Sequence, residues 1–160
     1  MKDDRYKVPV SVQLILKKDN NVLLLRRYNT GFADGHYALP AGHVEENEEI
    51  VEAMIRETKE EIGIIVKKEN LKFKHVLYRK AKGITYVDFI FSTTKWNGDI
   101  KIMEPDKCDE LQWFDIDNLP EKTIPFTRKL LETKEKLYIP YGWTEEEQLL
   151  DKLQNMNSDT

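Results

Sequence analysis

Residues 42–64, GHVEENEEIVEAMIRETKEEIGI, are the stretch of this chain from which its fold can be inferred. Apolar residues recur through its middle at the three- and four-residue spacing of a helix. Asn47 is a candidate N-cap, and Gly63 stands where a glycine ends a helix. The stretch therefore predicts a turn at Gly42 followed by a helix over residues 47–62.

The carboxylates of this helix are not all on its polar face. At about 100° per residue, the apolar side chains fill one continuous arc that must face a core. Glu57 falls on the edge of that arc and Glu61 falls inside it. An unpaired carboxylate carried toward a core costs several kcal/mol or more, so these groups need a partner.

A divalent cation is the partner that the pattern favours. Glu60 lies about one turn from Glu57 on the other flank. Three carboxylates on one helix edge repel one another, and a hard cation with oxygen ligands relieves that repulsion. The sequence predicts a Mg²⁺ site, with Mn²⁺ as a substitute. The alternative is a glutamate-rich surface helix, since charge runs are usually solvated faces.

The same 23 residues resemble the Nudix box, Gly-x5-Glu-x7-Arg-Glu-(bulky)-x-Glu-Glu-x-Gly-(bulky). Thr58 departs from the bulky aliphatic of the pattern, but a β-branched residue can still pack on the arc. The resemblance implies an α/β Nudix fold, a mixed β-sheet sandwiched between helices. The residues in register are Gly42, Glu48, Arg56, Glu57, Glu60, Glu61, Gly63 and Ile64.

The resemblance also implies roles for the box residues. Glu57 and Glu61 would bind metal or activate water, and Glu60 and the carbonyl of Ala41 would be further ligands. Arg56 would hold the carboxylates in place, so the implied catalytic set is Arg56, Glu57, Glu60 and Glu61. The general base varies across the family, and the role is assigned here to Glu57.

A further acidic ligand is expected late in the chain. Glu104, beside Pro105, is the first candidate, with Asp109 and Glu110 as alternatives. For each, the competing interpretation is an exposed loop carboxylate, because acidic residues are mostly exposed.

Several residues are candidates for binding substrate. Gly42 and His43 would lie at the phosphates. Strand alternation puts only one of Arg26 and Arg27 on the pocket side, and we favour Arg27. Four aromatic residues are candidates to stack on a base, and for each the competing interpretation is a core residue: Phe32, Tyr37, Phe126 and Trp113.

The remaining pattern predicts one α/β domain over residues 1–155 and a frayed tail over 156–160. The predicted last helix starts at Thr144 with a capping box and turns Leu149, Leu150 and Leu153 inward. Strands are predicted over 8–16, 21–27, 71–78, 84–92, 99–103 and 111–114, and a further helix over 127–136.

The composition of the chain limits the kinds of partner and compartment that can be expected. The net charge is -4, from 25 basic and 29 acidic residues, so no long nucleic acid is expected. Cys108 is the only cysteine and no apolar stretch is long enough to span a membrane, which favours a cytoplasmic protein in which Cys108 packs in the core. A homodimer, a common arrangement among soluble proteins, is expected.

The sequence thus predicts a metal-dependent hydrolase. Water would attack phosphorus in a nucleoside triphosphate, or in a nucleoside diphosphate linked to another moiety. An 8-oxo-dGTP-type house-cleaning enzyme is the first expectation and a nucleotide-sugar pyrophosphatase the second. Two other classes compete: a Nudix-fold nucleotide-binding module without catalysis, which the intact Glu57, Glu60 and Glu61 oppose, and a structural acidic helix, which predicts no stabilisation by metal.

Overall fold

A computed structural model describes residues 3–156 of the chain. These residues form an 8-stranded sheet with the order β3-β2-β1-β6-β5-β8, in which β4 pairs with β1 and β7 with β2. The β1–β6 and β5–β8 pairs are parallel and the others antiparallel, so the sheet is mixed. The strands are β1 Val10–Lys18, β2 Asn21–Arg27, β3 Tyr37–Ala38, β4 Ala41–His43, β5 Lys72–Ala81, β6 Ile84–Thr93, β7 Cys108–Asp115 and β8 Tyr138–Tyr141.

Helices cover both faces of the sheet. The helix α1, Ile50–Ile62, packs Ala53, Met54 and Ile62 into one apolar cluster. The helix α2, Pro125–Glu132, contributes to a second cluster through Phe126 and its leucines. This confirms the predicted α/β/α arrangement.

Strand β1 separates the two sides. Val12, Leu14 and Leu16 belong to the cluster under α1, as the period of two requires. The opposite face of β1 carries Ile15 in the second cluster, and toward the start of the strand two buried polar residues, Ser11 and Gln13.

The C-terminus of α1 is as predicted, and its N-terminus is not. Gly63 has φ 76° and its N–H donates to the carbonyl of Lys59. Asn47 is not the N-cap, because its φ of 63° is left-handed whereas an N-cap is extended. Helix α1 begins instead at Ile50, and the carboxylate of Glu49 accepts from the N–H of Val51 at 3.0 Å.

The strand predicted over residues 99–103 is wrong. The N–H of Lys101 donates to the carbonyl of Ile62 at 3.0 Å, and that of Met103 to the carbonyl of Glu61 at 3.3 Å. The segment therefore caps the end of α1 instead of joining the sheet. Cys108 is buried in the second apolar cluster, as expected.

The C-terminal region departs further from the prediction. Helix α2 ends at Glu132, where Thr133 donates to the carbonyl of Lys129 through its N–H and its hydroxyl. Strand β8 was not predicted at all, because its four residues include Pro140, which cannot donate to a ladder. Among the described residues, no helix is long and apolar enough to cross a membrane.

The last helix, α3, spans Glu145–Met156 and has the predicted capping box, in which Thr144 and Glu147 bond each other's N–H. The prediction that its leucines turn inward is wrong. Leu149, Leu150 and Leu153 are exposed, because α3 is held by polar contacts on another side. The helix continues through Met156, and residues 157–160 of the predicted tail lie outside the described residues.

Glu147 is the main anchor of α3. Its carboxylate accepts from Lys129 Nζ at 2.7 Å and from the N–H of Gly142 at 2.8 Å. We expect Glu147→Ala to lower the free energy of unfolding by about 2 kcal/mol, and Tm by roughly 4–8 °C, because these charged bonds are lost. Calorimetry would measure this change. The matched control is Glu146→Ala, since Glu146 is exposed; equal Tm values for the two variants would contradict the assigned anchor.

Candidate active site

A cleft of about 800 Å³ opens beside the acidic edge of α1, which consists of Glu57, Glu60 and Glu61. Its other boundary is formed by the ends of β5 and β6 next to the turn that joins them. The cleft brings together ten of the residues predicted to form the site. These are Arg27, Phe32, Ala41, Gly42, His43, Arg56, Glu57, Glu60, Glu61 and Glu104.

Arg56 is the centre of the acidic edge. Its Nε and Nη2 donate to the two carboxylate oxygens of Glu48 at 2.7 and 3.0 Å, and Nη2 also reaches the carbonyl of His43 at 2.9 Å. Its Nη1 contacts Glu57 at 2.8 Å and Glu60 at 3.1 Å. One guanidinium thus joins α1 to the preceding turn and to β4, and it fixes the side chain of Glu57.

Glu57 rests directly on the backbone of β4. A Cβ added at Gly42 would overlap the carboxyl group of Glu57, so only glycine fits between them. The side chain of Glu57 is mostly buried, at 14% exposed, and burial raises the pKa of its carboxyl. The charges of Glu60 and Glu104 act in the same direction.

Glu61 lies deeper in the cleft. Its carboxylate accepts from the N–H of Ala41 at 2.7 Å. Burial, together with the charges of Glu57 and Glu104, raises the pKa of the Glu61 carboxyl to about 8. No cation of the described residues forms an ion pair with it. Positive charge brought by a ligand would stabilise its ionised form.

The three acidic residues proposed as a further metal ligand occupy different places in the structure. Glu104 lines the cleft and pairs with Lys107 at 3.2 Å. Asp109 and Glu110 instead contact Arg26 on β2, outside the cleft. Glu104 is therefore the one of the three that faces Glu57 and Glu61.

The donors suit a hard divalent cation by type. Glu57, Glu60, Glu61 and Glu104 offer carboxylate oxygens, the ligands that Mg²⁺ and Mn²⁺ prefer. Within residues 3–156, however, no three acidic, histidine or cysteine side chains already stand close enough to hold an ion. Because Arg56 engages Glu57 and Glu60, a metal would have to draw the carboxylates together.

Arg27 forms the opposite side of the cleft with the loop that follows β2. Its Nε donates to the carbonyl of Phe32 at 2.7 Å and its Nη2 to the hydroxyl of Thr30 at 2.9 Å. The Phe32 ring lies near Arg27 and Lys82, which are 5.3 and 5.4 Å from its centroid. Arg26 points away, as the strand alternation predicted.

The other aromatic candidates divide between the cleft and the surrounding fold. Tyr37 does not line the cleft: it packs edge-on against Phe114 and its hydroxyl donates to Glu110. Trp113 packs against Trp96 in the cluster under α1. Phe126 does line the cleft.

Sequence reasoning missed one pair of charges in the cleft. Asp88 is fully buried in β6 and accepts from Arg79 Nε at 2.5 Å. The guanidinium of Arg79 lies 4.1 Å from the Tyr86 ring centroid and 4.7 Å from that of Phe126. The available signal was an aspartate inside an alternating apolar strand, which demands a buried partner.

Known proteins resemble the chain along most of its length. The model of the NUDIX domain family matches residues 5–134. An ADP-ribose pyrophosphatase from Methanocaldococcus jannaschii is 36% identical over 112 residues, which are 70% of this chain. A human 8-oxo-dGDP phosphatase is 32% identical over 113 residues, 69% of this chain.

Solved structures agree with the sequence relatives. A MutT NUDIX hydrolase from Burkholderia pseudomallei superposes with a TM-score of 0.74 at 28% identity, covering 79% of this chain and 98% of that one. The matched segments span 64% of the archaeal relative and 33% of the human relative. With the family model, the fold and the box residues in agreement, the chain belongs to the Nudix hydrolase family.

Proposed function

We propose that this protein is a divalent-metal-dependent hydrolase that cleaves a pyrophosphate bond in a small nucleotide substrate. The observation that carries the proposal is the position of Glu61. Its carboxylate lies low in the cleft beside Glu57 and Glu104, without an ion pair among the described residues. A cation that also binds phosphate would offset the cost of gathering these charges.

Each side chain of the acidic edge then has a task. Glu57, Glu61 and Glu104 would hold the metal, with Glu60 and the carbonyl of Ala41 as additional oxygen ligands. When bound, such a metal lowers the pKa of water and stabilises charge on phosphate. Arg56 would keep Glu57 oriented, and Glu57 is the proposed general base toward the attacking water.

The opposite side of the cleft fits a substrate with phosphates and a further moiety. It is lined by the cationic side chains of Arg27 and Lys82, and by Arg79, whose charge is offset by Asp88. The ring of Phe32 offers a surface on which a base can stack. We infer a nucleoside diphosphate linked to another moiety, of the ADP-ribose or nucleotide-sugar type. The similarity to the archaeal ADP-ribose pyrophosphatase supports placing this substrate class first.

A second candidate is an 8-oxo-dGTP-type house-cleaning enzyme. The similarity to a human 8-oxo-dGDP phosphatase favours it. A substrate panel of ADP-ribose, a nucleotide sugar, 8-oxo-dGDP and 8-oxo-dGTP with Mg²⁺ separates the two. Release of phosphate or nucleoside monophosphate is the readout.

We expect the wild type to hydrolyse at least one compound of this substrate panel, and both Glu57→Gln and Glu61→Gln to lower kcat/KM by more than about tenfold. Each change keeps the side-chain size and removes the charge that a metal needs. Glu52→Gln is the matched control, since Glu52 is exposed on the same helix. Wild-type rates in a folded Glu61→Gln variant would contradict the proposal.

Gly42→Ala tests the close approach of β4 to Glu57. The added methyl would occupy the place of the Glu57 carboxyl, so we expect a loss of activity of at least about tenfold. The displaced group is the end of a side chain, which can swing aside, so Tm should change by only a few degrees, about 1 kcal/mol. Steady-state kinetics and a thermal melt measure the two effects. Full activity would show that Glu57 need not lie against this strand.

A further inference from the structure

Two polar side chains form the floor of the cleft between its acidic edge and Arg79. Ser11 is 4% exposed and Gln13 is 3% exposed, and both line the cleft from β1. Among residues 3–156, neither side chain has a hydrogen-bond partner, although neither is sealed off from the cleft. Their polar groups are therefore available to a bound molecule.

These two groups are polar within an otherwise apolar stretch of β1. Their polar atoms reach the cleft, so water can satisfy them in the free protein, and a ligand that displaces this water must replace its hydrogen bonds. The rest of this part of β1 is apolar: Val12, Leu14 and Ile15 are all buried. An apolar residue at position 13 would serve folding equally well, so the amide of Gln13 in the cleft lining points to a role in binding.

The register of the sheet places these groups beside the acidic edge. Gln13 lies opposite Ala41 on β4, and Ser11 lies opposite His43. Adjacent strands are about 4.8 Å apart, so the floor begins one strand from the backbone that contacts Glu61. On its other side, Ser11 lies opposite Asp88, the partner of Arg79.

The charge of the floor indicates what it binds. Asp88 is neutralised by Arg79, and Ser11 and Gln13 are uncharged, so the floor has no net charge with which to attract phosphate. An amide and a hydroxyl offer donors and acceptors together, which match the hydroxyls of a sugar. Phosphate would instead be attracted by the metal proposed at the acidic edge and by cationic side chains such as Arg27.

We propose that Gln13 and Ser11 are specificity-determining residues that bind the sugar adjoining the substrate's diphosphate. The inference rests on the proposed function, because that function places the diphosphate at the acidic edge. Arg79, aligned by Asp88 and by the rings of Tyr86 and Phe126, bounds this sugar site on the far side.

Gln13→Met tests this inference, because it keeps the length of the side chain and removes its hydrogen-bonding groups. The test uses the compound of the substrate panel that the wild type hydrolyses fastest. For this compound we expect KM to rise about tenfold while kcat stays within about threefold of the wild-type value, because the lost interaction stabilises the bound substrate and the transition state equally. Calorimetry with ADP-ribose and metal-free protein should show Kd rising by a similar factor. Ser11→Ala should shift KM and Kd in the same direction.

Gln112→Met is the matched control, since Gln112 is exposed on β7 away from the cleft. A KM and a Kd within twofold of wild type in a folded Gln13→Met variant would overturn the sugar site. A fall in kcat with unchanged KM would overturn it as well, since it would assign Gln13 to the chemical step. Failure of the wild type to hydrolyse any compound would instead refute the proposed function, and it would leave the calorimetric comparison as the separate test of Gln13.

Discussion

The cleft depends on one guanidinium that holds several negative groups at once. Arg56 contacts Glu48, Glu57 and Glu60 and the carbonyl of His43. It is itself only 23% exposed, so these contacts are partly shielded from water and are worth more than surface ion pairs. Because the same group contacts α1, the preceding turn and β4, the direction in which α1 presents its carboxylates is set by Arg56.

The glycine of β4 complements this constraint. Arg56 fixes Glu57 from one side, and the bare backbone of Gly42 lets it lie flat on the other. Glu61, one turn along α1, then falls beside the N–H of Ala41. The sheet continues from this acidic edge into the neutral floor at Gln13 and on to Arg79. An acidic edge and a neutral floor thus lie on adjacent strands, and this arrangement suits the proposed substrate, with metal-bound phosphate at one end and a sugar beyond it.

Features set by local chemistry could be predicted from the sequence, and features set by distant contacts could not. The end of α1 at Gly63 follows from the positive φ that glycine adopts, and strand alternation requires that only one of Arg26 and Arg27 line the cleft. The segment over residues 99–103 resembled a strand, but its N–H groups donate to carbonyls at the end of α1, which have no partner within the helix. Tyr37 was a candidate to stack on a base because its side chain is aromatic, whereas its hydroxyl donates to Glu110, 73 positions away.

The central claim is that these carboxylates are assembled to bind a cation that binds phosphate. The most direct measurement is a crystal structure with Mn²⁺, whose anomalous signal locates the ion. The account predicts an ion bound by Glu57 and Glu61 at about 2.1–2.2 Å, with Glu104 or the Ala41 carbonyl completing the protein ligands. Carboxylates pointing into solvent, with no anomalous peak among them at saturating Mn²⁺, would contradict it.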